Sequence, residues 1–422
     1  LSHPSISDLR QRILPLRQQA DITDRWLSYR LQHVLPEIMM REGIDMWLVL
    51  AREYNEDPVV MSLLPAAMLT ARRRTLLGFY LRPDRTVECI NMGRWERGLN
   101  QFYTGGWDKT KETQWEYAAR VVRERKPDTI GLNVSNTFAF GDGLTKTQYD
   151  ELTAALDPQD AERVQSAERL AVGWLEKRTE EELQAYQGIN KLAHDIIAKA
   201  FSHEVVHPGV TTGTDVAWWI RQVINDIGLA SWFSPTVMIQ RRGVAMPDPD
   251  TIIRPGDLLH CDVGLHYLGL ATDTQQMAYV LRLDEAGVPA DIQQALAAGN
   301  QLQDIFAASF VAGRTGNEIF QEAIEQAKAQ GLEAMIYTHP IGYHGHGAGP
   351  TIGLFDQQSF VKGSGEYPLH ENTCYAVELN VKYRLPSWDD QEVMIALEQT
   401  SLFNGDSVQY LGGRQTAFHV IQ

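Results

Sequence analysis

Apolar residues recur at helical spacing through residues 24–41 (Trp26, Leu27, Leu31, Val34, Leu35), Gly43 supplies a stop, and the apolar run 44–50 predicts a buried strand. Residues 75–81 and 87–92 predict two strands around the turn Arg82-Pro83-Asp84-Arg85. Helical patterns over 113–124 and 145–156 enclose a short strand at 129–133. Asp157-Pro158-Gln159-Asp160 predicts a turn or linker, and the change from one domain to the next is placed near residue 165. Acids at 180–182 suit the first turn of a helix that runs to about Phe201. His207-Pro208-Gly209-Val210-Thr211 breaks it, and 214–227 predicts another helix. Beyond residue 230 strands dominate: 257–265 and 270–281 predict an antiparallel pair, 289–312 and 316–330 predict helices, and 373–379, 392–401 and 407–410 predict further strands.

A chain of 422 residues has room for two separate cores. A formal net charge of −16 argues against nucleic acid or an anionic membrane as partner. The cysteines Cys89, Cys261 and Cys374 are too few and too scattered for a disulfide framework or a thiolate zinc site; Cys261 is read as a small buried residue of a core strand. No run has the length of a transmembrane helix and no signal peptide is visible. The expected compartment is the cytoplasm, or the periplasm or exterior if a signal was removed before Leu1.

Four acids interrupt the apolar strands: Asp262 in Cys261-Asp262-Val263-Gly264, Asp273 in Thr272-Asp273-Thr274, Glu378 in Ala376-Val377-Glu378-Leu379 and Glu398 in Leu397-Glu398-Gln399. An unpaired buried carboxylate is costly, whereas a metal ligand is compensated. Each acid alone is also read as a turn cap, an arginine partner or an edge charge; four in matching contexts point to a shared cation site. Asp262 and Asp273 are expected at matched sites of one hairpin, about 5 Å apart, which suits ions roughly 3.5–4 Å apart. His339, His344 and His346 crowd a Gly-rich segment that a flexible loop would also explain. The chemistry asks for one neutral imidazole on a metal and one that donates a hydrogen bond to substrate. Four carboxylates and an imidazole can hold two divalent ions and ionise a water for hydrolysis, so an enzyme is the leading expectation.

At these residues the chain resembles the pita-bread metallopeptidases: methionine aminopeptidase, aminopeptidase P, prolidase and creatinase. The resemblance spans the whole chain. It rests on Glu176-Lys177-Arg178-Thr179-Glu180-Glu181-Glu182, His207-Pro208-Gly209-Val210-Thr211, Arg254-Pro255-Gly256-Asp257 and the order and spacing of the five ligands. It implies a two-domain α/β chain, with a creatinase-like N-terminal α/β domain over 1–165 and a pita-bread (α+β) catalytic domain over 166–422. It also implies that Asp262 chelates one metal, that Asp273 and Glu398 bridge both, and that His339 and Glu378 complete the second ion. Glu378 would in addition take a proton from the attacking water.

The histidines admit two registers. The family carries His-Gly-Ile-Gly with a second catalytic His seven residues on; His339-Pro340-Ile341-Gly342 followed by His346 fits this. The competing register, with His346 as ligand, meets Gly353 seven residues on. His339 as ligand and His346 as hydrogen-bond donor is the favoured assignment, with His344 in the second sphere. Two departures stand out. The family's upstream His, about 17 residues before the first Asp, falls at Ala245, Met246 and Pro247, and 233–259 contains no His. Ala396 stands where the prolidase branch has Arg two residues before the last Glu. Arg241, Arg242 and Arg414 are possible replacements for the lost positive charge.

The activity so implied is metal-dependent cleavage of N-terminal Xaa-Pro peptide bonds, by an Xaa-Pro aminopeptidase or dipeptidase. Two divalent ions are expected, Mn²⁺ by the carboxylate-rich ligands, with Zn²⁺ or Co²⁺ as alternatives. A peptide substrate and a homodimer are the implied partners. The rival readings are a creatinase-like hydrolase of a non-peptide C–N bond and a non-catalytic binding protein on the same fold.

Overall fold

The apolar run after Gly43 becomes strand β1 (Met46–Arg52), buried from Met46 to Ala51. The structure, a computed structural model, describes residues 3–422 apart from 95, 97, 245 and 246. The chain divides into two compact units, one of Pro15–Thr179 and one uniting the residues through Leu14 with Glu180–Gln422.

In the first unit β1 is joined by β2 (Arg74–Leu81), β3 (Val87–Asn91), β4 (Ile130–Leu132) and β5 (Val164–Ser166) in the order β3-β2-β1-β4-β5. The hairpin side is antiparallel, while β4 and β5 run parallel to β1. Parallel neighbours need crossovers, which the helices Gln114–Arg125 and Lys146–Ala155 provide. The expected helix 24–41 is interrupted: α-helices Leu16–Tyr29 and Leu35–Glu42 flank a π turn, Arg30–Val34. Pro36, which has no N–H to give the preceding turn, accounts for the break. The linker expected at 157–160 includes a short helix, Pro158–Ala161. A helix Glu168–Glu176 was not expected; it is only nine residues long, and Leu170–Glu176 is buried throughout. Buried Arg30 satisfies its end, donating to the carbonyls of Trp174 and Lys177 (2.6 Å to the latter).

The second unit holds β6 (Ala230–Ser231), β7 (Thr236–Gln240), β8 (Leu258–Val263), β9 (Leu265–Tyr267), β10 (Leu270–Ala271), β11 (Thr274–Val280), β12 (Glu333–Ile336), β13 (His339–Pro340), β14 (Thr373–Leu385), β15 (Gln391–Phe403), β16 (Val408–Tyr410) and β17 (His419–Ile421). The large sheet runs β12-β14-β15-β11-β8-β7, with β13 on β14, β16 on β15 and β17 on β11; β10-β9-β6 form a small second sheet. Helices Glu180–Ala200, Gly213–Asp226, Ala290–Ala308 and Gly316–Ala329 pack with it. Capping boxes at Thr212 and Thr315 start two of them. Ile395 and Leu397 meet Gly299 of Ala290–Ala308, so Ala396 and Glu398 alternate to the opposite face. Among the described residues no helix is long and apolar enough to cross a membrane.

The large sheet is two half-sheets joined at a narrow seam. β14 and β15 pair over thirteen residues each, from Thr373↔Phe403 to Leu385↔Gln391. β11 and β15 pair only at Thr274↔Gln399 and Gln275↔Glu398. Beyond these pairs the amide of Gln415 takes the place of a neighbouring strand, bonding N and O of Met277 at 2.7 Å each, and β17 runs beside Ala278–Val280.

Candidate metal centre

Register alone brings most of the site together. Thr236, Asp262, Gln275, Glu398 and Glu378 are successive partners across β7, β8, β11, β15 and β14. Two residues further on, Asp273 exchanges hydrogen bonds with Thr400 (N to Oγ1 and Oγ1 to O, 3.3 Å each), and Thr400, Ala376 and His339 are partners in turn. A step of two residues keeps side chains on one face, so the four acids and His339 converge. Asp262 and Asp273 are not at the matched sites expected from the sequence. Gln275 stands opposite Asp262, and the excursion of the chain through β9 and β10 leaves Asp273 on the diagonal, still within reach.

From His339 Nε2, Glu398 Oε1 lies at 3.5 Å, Asp273 Oδ2 at 3.6 Å and Glu378 Oε2 at 3.9 Å. Three ligand groups result: Asp262, Asp273 and Glu398; His339, Glu378 and Glu398; and Asp273, His339 and His346. Within each, one ligand atom per residue lies within 4.8 Å of the others. His339 Nδ1 is 3.0 Å from the Pro340 carbonyl. That contact needs a proton on Nδ1, which leaves the Nε2 lone pair facing the carboxylates. His344 is in none of these groups.

The electrostatics are those of an anion cluster. Burial and then Glu398, Asp262 and Glu378 hold the Asp273 carboxyl far above its usual range; burial and Asp262 do the same to Glu398. Burial, followed by the charge of Glu398, pushes Glu378 up to about 9, and burial pushes Asp262 up to about 6. Asp262 Oδ1, Asp273 Oδ1, Glu398 Oε1 and His339 Nε2 are buried without a hydrogen-bond partner. Orphaned carboxylate oxygens and an imidazole lone pair, converging on one space, fit hard or borderline divalent cations. A pH dependence follows. These acids bind protons more tightly folded than unfolded, so unfolding releases protons and stability falls with rising pH. For Glu378 the window runs from its ordinary 4.5 to about 9, and for Asp262 from 3.8 to about 6. Chelator-treated protein is therefore expected to melt at progressively lower temperature between about pH 5 and 9, with added divalent ion recovering the loss. A flat profile would show that the acids do not crowd.

The rim carries residues that sequence reading did not single out. Trp232 donates Nε1–H to the Thr272 carbonyl (2.8 Å), and its ring meets Phe233 and His346 edge-on at centroid distances of 4.5 and 5.2 Å. The indole lies in a slot between Gly264 and Gly345, where a Cβ at either position would collide with it. His346 in turn meets His339 edge-on at 4.6 Å, and partial burial lowers its pKa. Those two glycines were the available signal for the slot. The other missed residue, Gln275, donates to Glu378 Oε1 (2.6 Å) and Glu398 Oε2 (3.0 Å).

The departures also find their places. The long connection 241–257 puts Thr236, not a residue 17 positions upstream, opposite Asp262. Ala245 and Met246 lie outside the described residues, and Pro247 is in that connection. None of the three arginines serves the cluster. Arg241 is held by Asp257 (2.7 and 2.8 Å), five residues along from Thr236, and Arg242 is held by Asp389 (2.8 Å). Arg414 is held by Asp304 (2.6 Å) on the helix that covers the other face of the sheet.

Comparison with known proteins agrees with this geometry. The model of a family described as metallopeptidase family M24 matches residues 184–405, more than half of the chain. A search of curated proteins by sequence gives no match. Among solved structures, the X-Pro aminopeptidase of Thermotoga maritima is similar with a TM-score of 0.64 at 14% identity, over 91% of this chain and 99% of the other. The Xaa-Pro dipeptidase of Bacillus anthracis gives 0.62 at 14% identity over 97% and 100%. Zn-substituted Escherichia coli aminopeptidase P in complex with product gives 0.58 at 12% identity over 96% and 97%. Identities this low establish likeness of fold, and the expected α/β chain with a pita-bread catalytic part is the fold found.

Proposed function

The chain belongs to metallopeptidase family M24, and we propose that it is a dinuclear metal-dependent hydrolase of N-terminal Xaa-Pro peptide bonds. The observation that carries this reading is the convergence of Asp262, Asp273, His339, Glu378 and Glu398 on one face of the sheet, with their facing atoms orphaned. Asp262, Asp273 and Glu398 would hold one divalent ion, and His339 and Glu378 with the shared Asp273 and Glu398 a second. Bound there, such ions polarise a carbonyl and bring the pKa of water near neutrality. The carboxylate-rich set favours Mn²⁺, with Zn²⁺ and Co²⁺ as alternatives.

The chain's own groups do the rest. Glu378 Oε2 faces the cluster while Gln275 holds Oε1, so Oε2 is the atom placed to accept a proton and return it to the leaving nitrogen. His346 is exposed at the rim of the cluster, against His339, where its ring N–H can donate to a substrate carbonyl oxygen. Trp232 and Phe233 form an apolar wall beside it, which suits a proline ring and excludes water.

The test is elemental analysis of protein purified with excess Mn²⁺, coupled to a panel of Xaa-Pro dipeptides, tripeptides and longer peptides. Close to two ions per chain are expected; a folded chain that takes up none would sink the reading. Turnover of a small C–N substrate without metal would point instead to creatinase-like chemistry. Activity on simple dipeptides is expected to be weak. No His faces Asp262 from β7, and Ala396 has no donor, so two positioned contacts are missing. A kcat/KM above about 10⁵ M⁻¹s⁻¹ on an Xaa-Pro dipeptide, well inside the usual enzyme range, would show that other residues supply them.

A further inference from the structure

Asp262 and Asp273 belong to one half-sheet, and His339, Glu378 and Glu398 to the other. Among the described residues strand pairing between β11 and β15 is limited to two residue pairs, with the Asp273–Thr400 and Gln240–Met394 hydrogen bonds beside them. A metal centre built across so short a joint needs something that sets the distance between its parts. We propose that Gln275, oriented by His260, is a positioning residue that staples the half-sheets at the metal centre and fixes which oxygens of Glu378 and Glu398 face the ions. This rests on the reading of the site as metal-binding.

Gln275 is on β11, and its side chain reaches across the seam to Glu398 and, one strand further, to Glu378. Gln275 Nε2 donates to an oxygen of each acid, and once ions hold the two acids as carboxylates, which only accept, no other orientation of the amide satisfies them. Its Oε1 then faces His260 Nε2 at 2.8 Å, and His260 must carry its proton on Nε2. The rest of His260 agrees: it is buried, and Nδ1 has no partner, as for a neutral ring protonated on Nε2. A flipped amide would set Oε1 against two carboxylates and its own N–H groups against that of His260. The two carboxylate contacts would turn repulsive and His260 would have to change tautomer, so the observed orientation is the favoured one.

The lock decides the ligand geometry. With Glu378 Oε1 and Glu398 Oε2 held by the amide, Glu378 Oε2 and Glu398 Oε1 are the oxygens left beside His339 Nε2. His260 is on β8, two residues from Asp262 and on the same face, so the arrangement runs from one half-sheet to the other through hydrogen bonds alone. Groups that orient ligands in this way are typically worth 10–100-fold in metal affinity.

The experiment is calorimetric titration of chelator-stripped protein with Mn²⁺, alongside thermal melting of each variant. Gln275→Met keeps the shape and removes the donors; it is expected to fold and to bind Mn²⁺ roughly 10–100-fold more weakly. Gln275→Asn, whose amide is a methylene short, is expected to weaken binding in the same direction. His260→Leu frees the amide to rotate and should also lower affinity. His260→Gln, whose amide N–H reaches the same acceptor, should restore it, which a mere packing role would not do. Wild-type affinity in Gln275→Met, or equal affinities for Leu and Gln at position 260, would overturn the staple while leaving the metal site intact. Failure of the unaltered protein to take up Mn²⁺ would overturn both.

Discussion

Asp273→Ala is expected to abolish turnover, to lower metal uptake and to leave the fold intact. Asp273, like Glu398, takes part in two of the three groups, with Asp262, Glu398, His339 and His346 as its companions, and one of its oxygens lies 3.6 Å from His339 Nε2. Its loss removes charge from both ion positions at once. The backbone link to Thr400 does not need the side chain, since both hydrogen bonds use the Asp273 main chain. Stability without metal is expected to hold or rise, because the carboxyl is buried among like charges, a crowding that raises its pKa and that the substitution relieves. The contrast with wild type lies in the ion-dependent part: a ligand at a hundred times its Kd adds about 2.7 kcal/mol, and the variant forfeits that gain. Asp273→Asn, which keeps the shape and not the charge, should behave alike. Full activity in either variant would show that the hairpin acid is not a shared ligand.

His339 and His346 are expected to separate binding from catalysis. The Nδ1 proton of His339 is committed to Pro340, and Nε2 points at three carboxylates; His339→Ala should lower metal occupancy, with activity falling in step. His346 is at the rim, packed between Trp232 and His339. His346→Ala should keep its ions and slow turnover by roughly the 10²–10⁴-fold typical of losing a positioned acid–base or hydrogen-bonding group. Inductively coupled plasma analysis and kcat measured on the same preparations decide it. Ion loss in His346→Ala with retention in His339→Ala would establish the other register.

How far the centre can be read without coordinates depends on what breaks a pattern. An acid in an apolar strand breaks one, so Asp262, Glu378 and Glu398 stand out, though it takes the pairing register to put them on one face. Gln275 sits in Thr274-Gln275-Gln276-Met277, where an amide among polar neighbours signals nothing until the register sets it between Asp262 and Glu398. Trp232 is an ordinary core aromatic by sequence; only Gly264 and Gly345, far apart in the chain, reveal its slot. Counting residues back from Asp262 fails for another reason: a hairpin loop can lengthen without moving its strands, so the residue across from Asp262 is set by pairing. The long amphipathic helices and the β2–β3 hairpin were legible because periodicity and turn chemistry are local. The nine-residue helix Glu168–Glu176 and the two-residue strands β6, β10 and β13 are too short to announce themselves.

The seam also bears on the order in which the molecule assembles. The ligands of its two sides are separated in sequence by two whole helices, Ala290–Ala308 and Gly316–Ala329. Closing a loop of that length is entropically uphill until the distant strands dock. No short segment gathers enough ligands to capture an ion early, as a finger or an EF-hand loop does. If the proposed ligands hold ions, metal uptake during refolding is expected to follow the docking of the half-sheets rather than precede it.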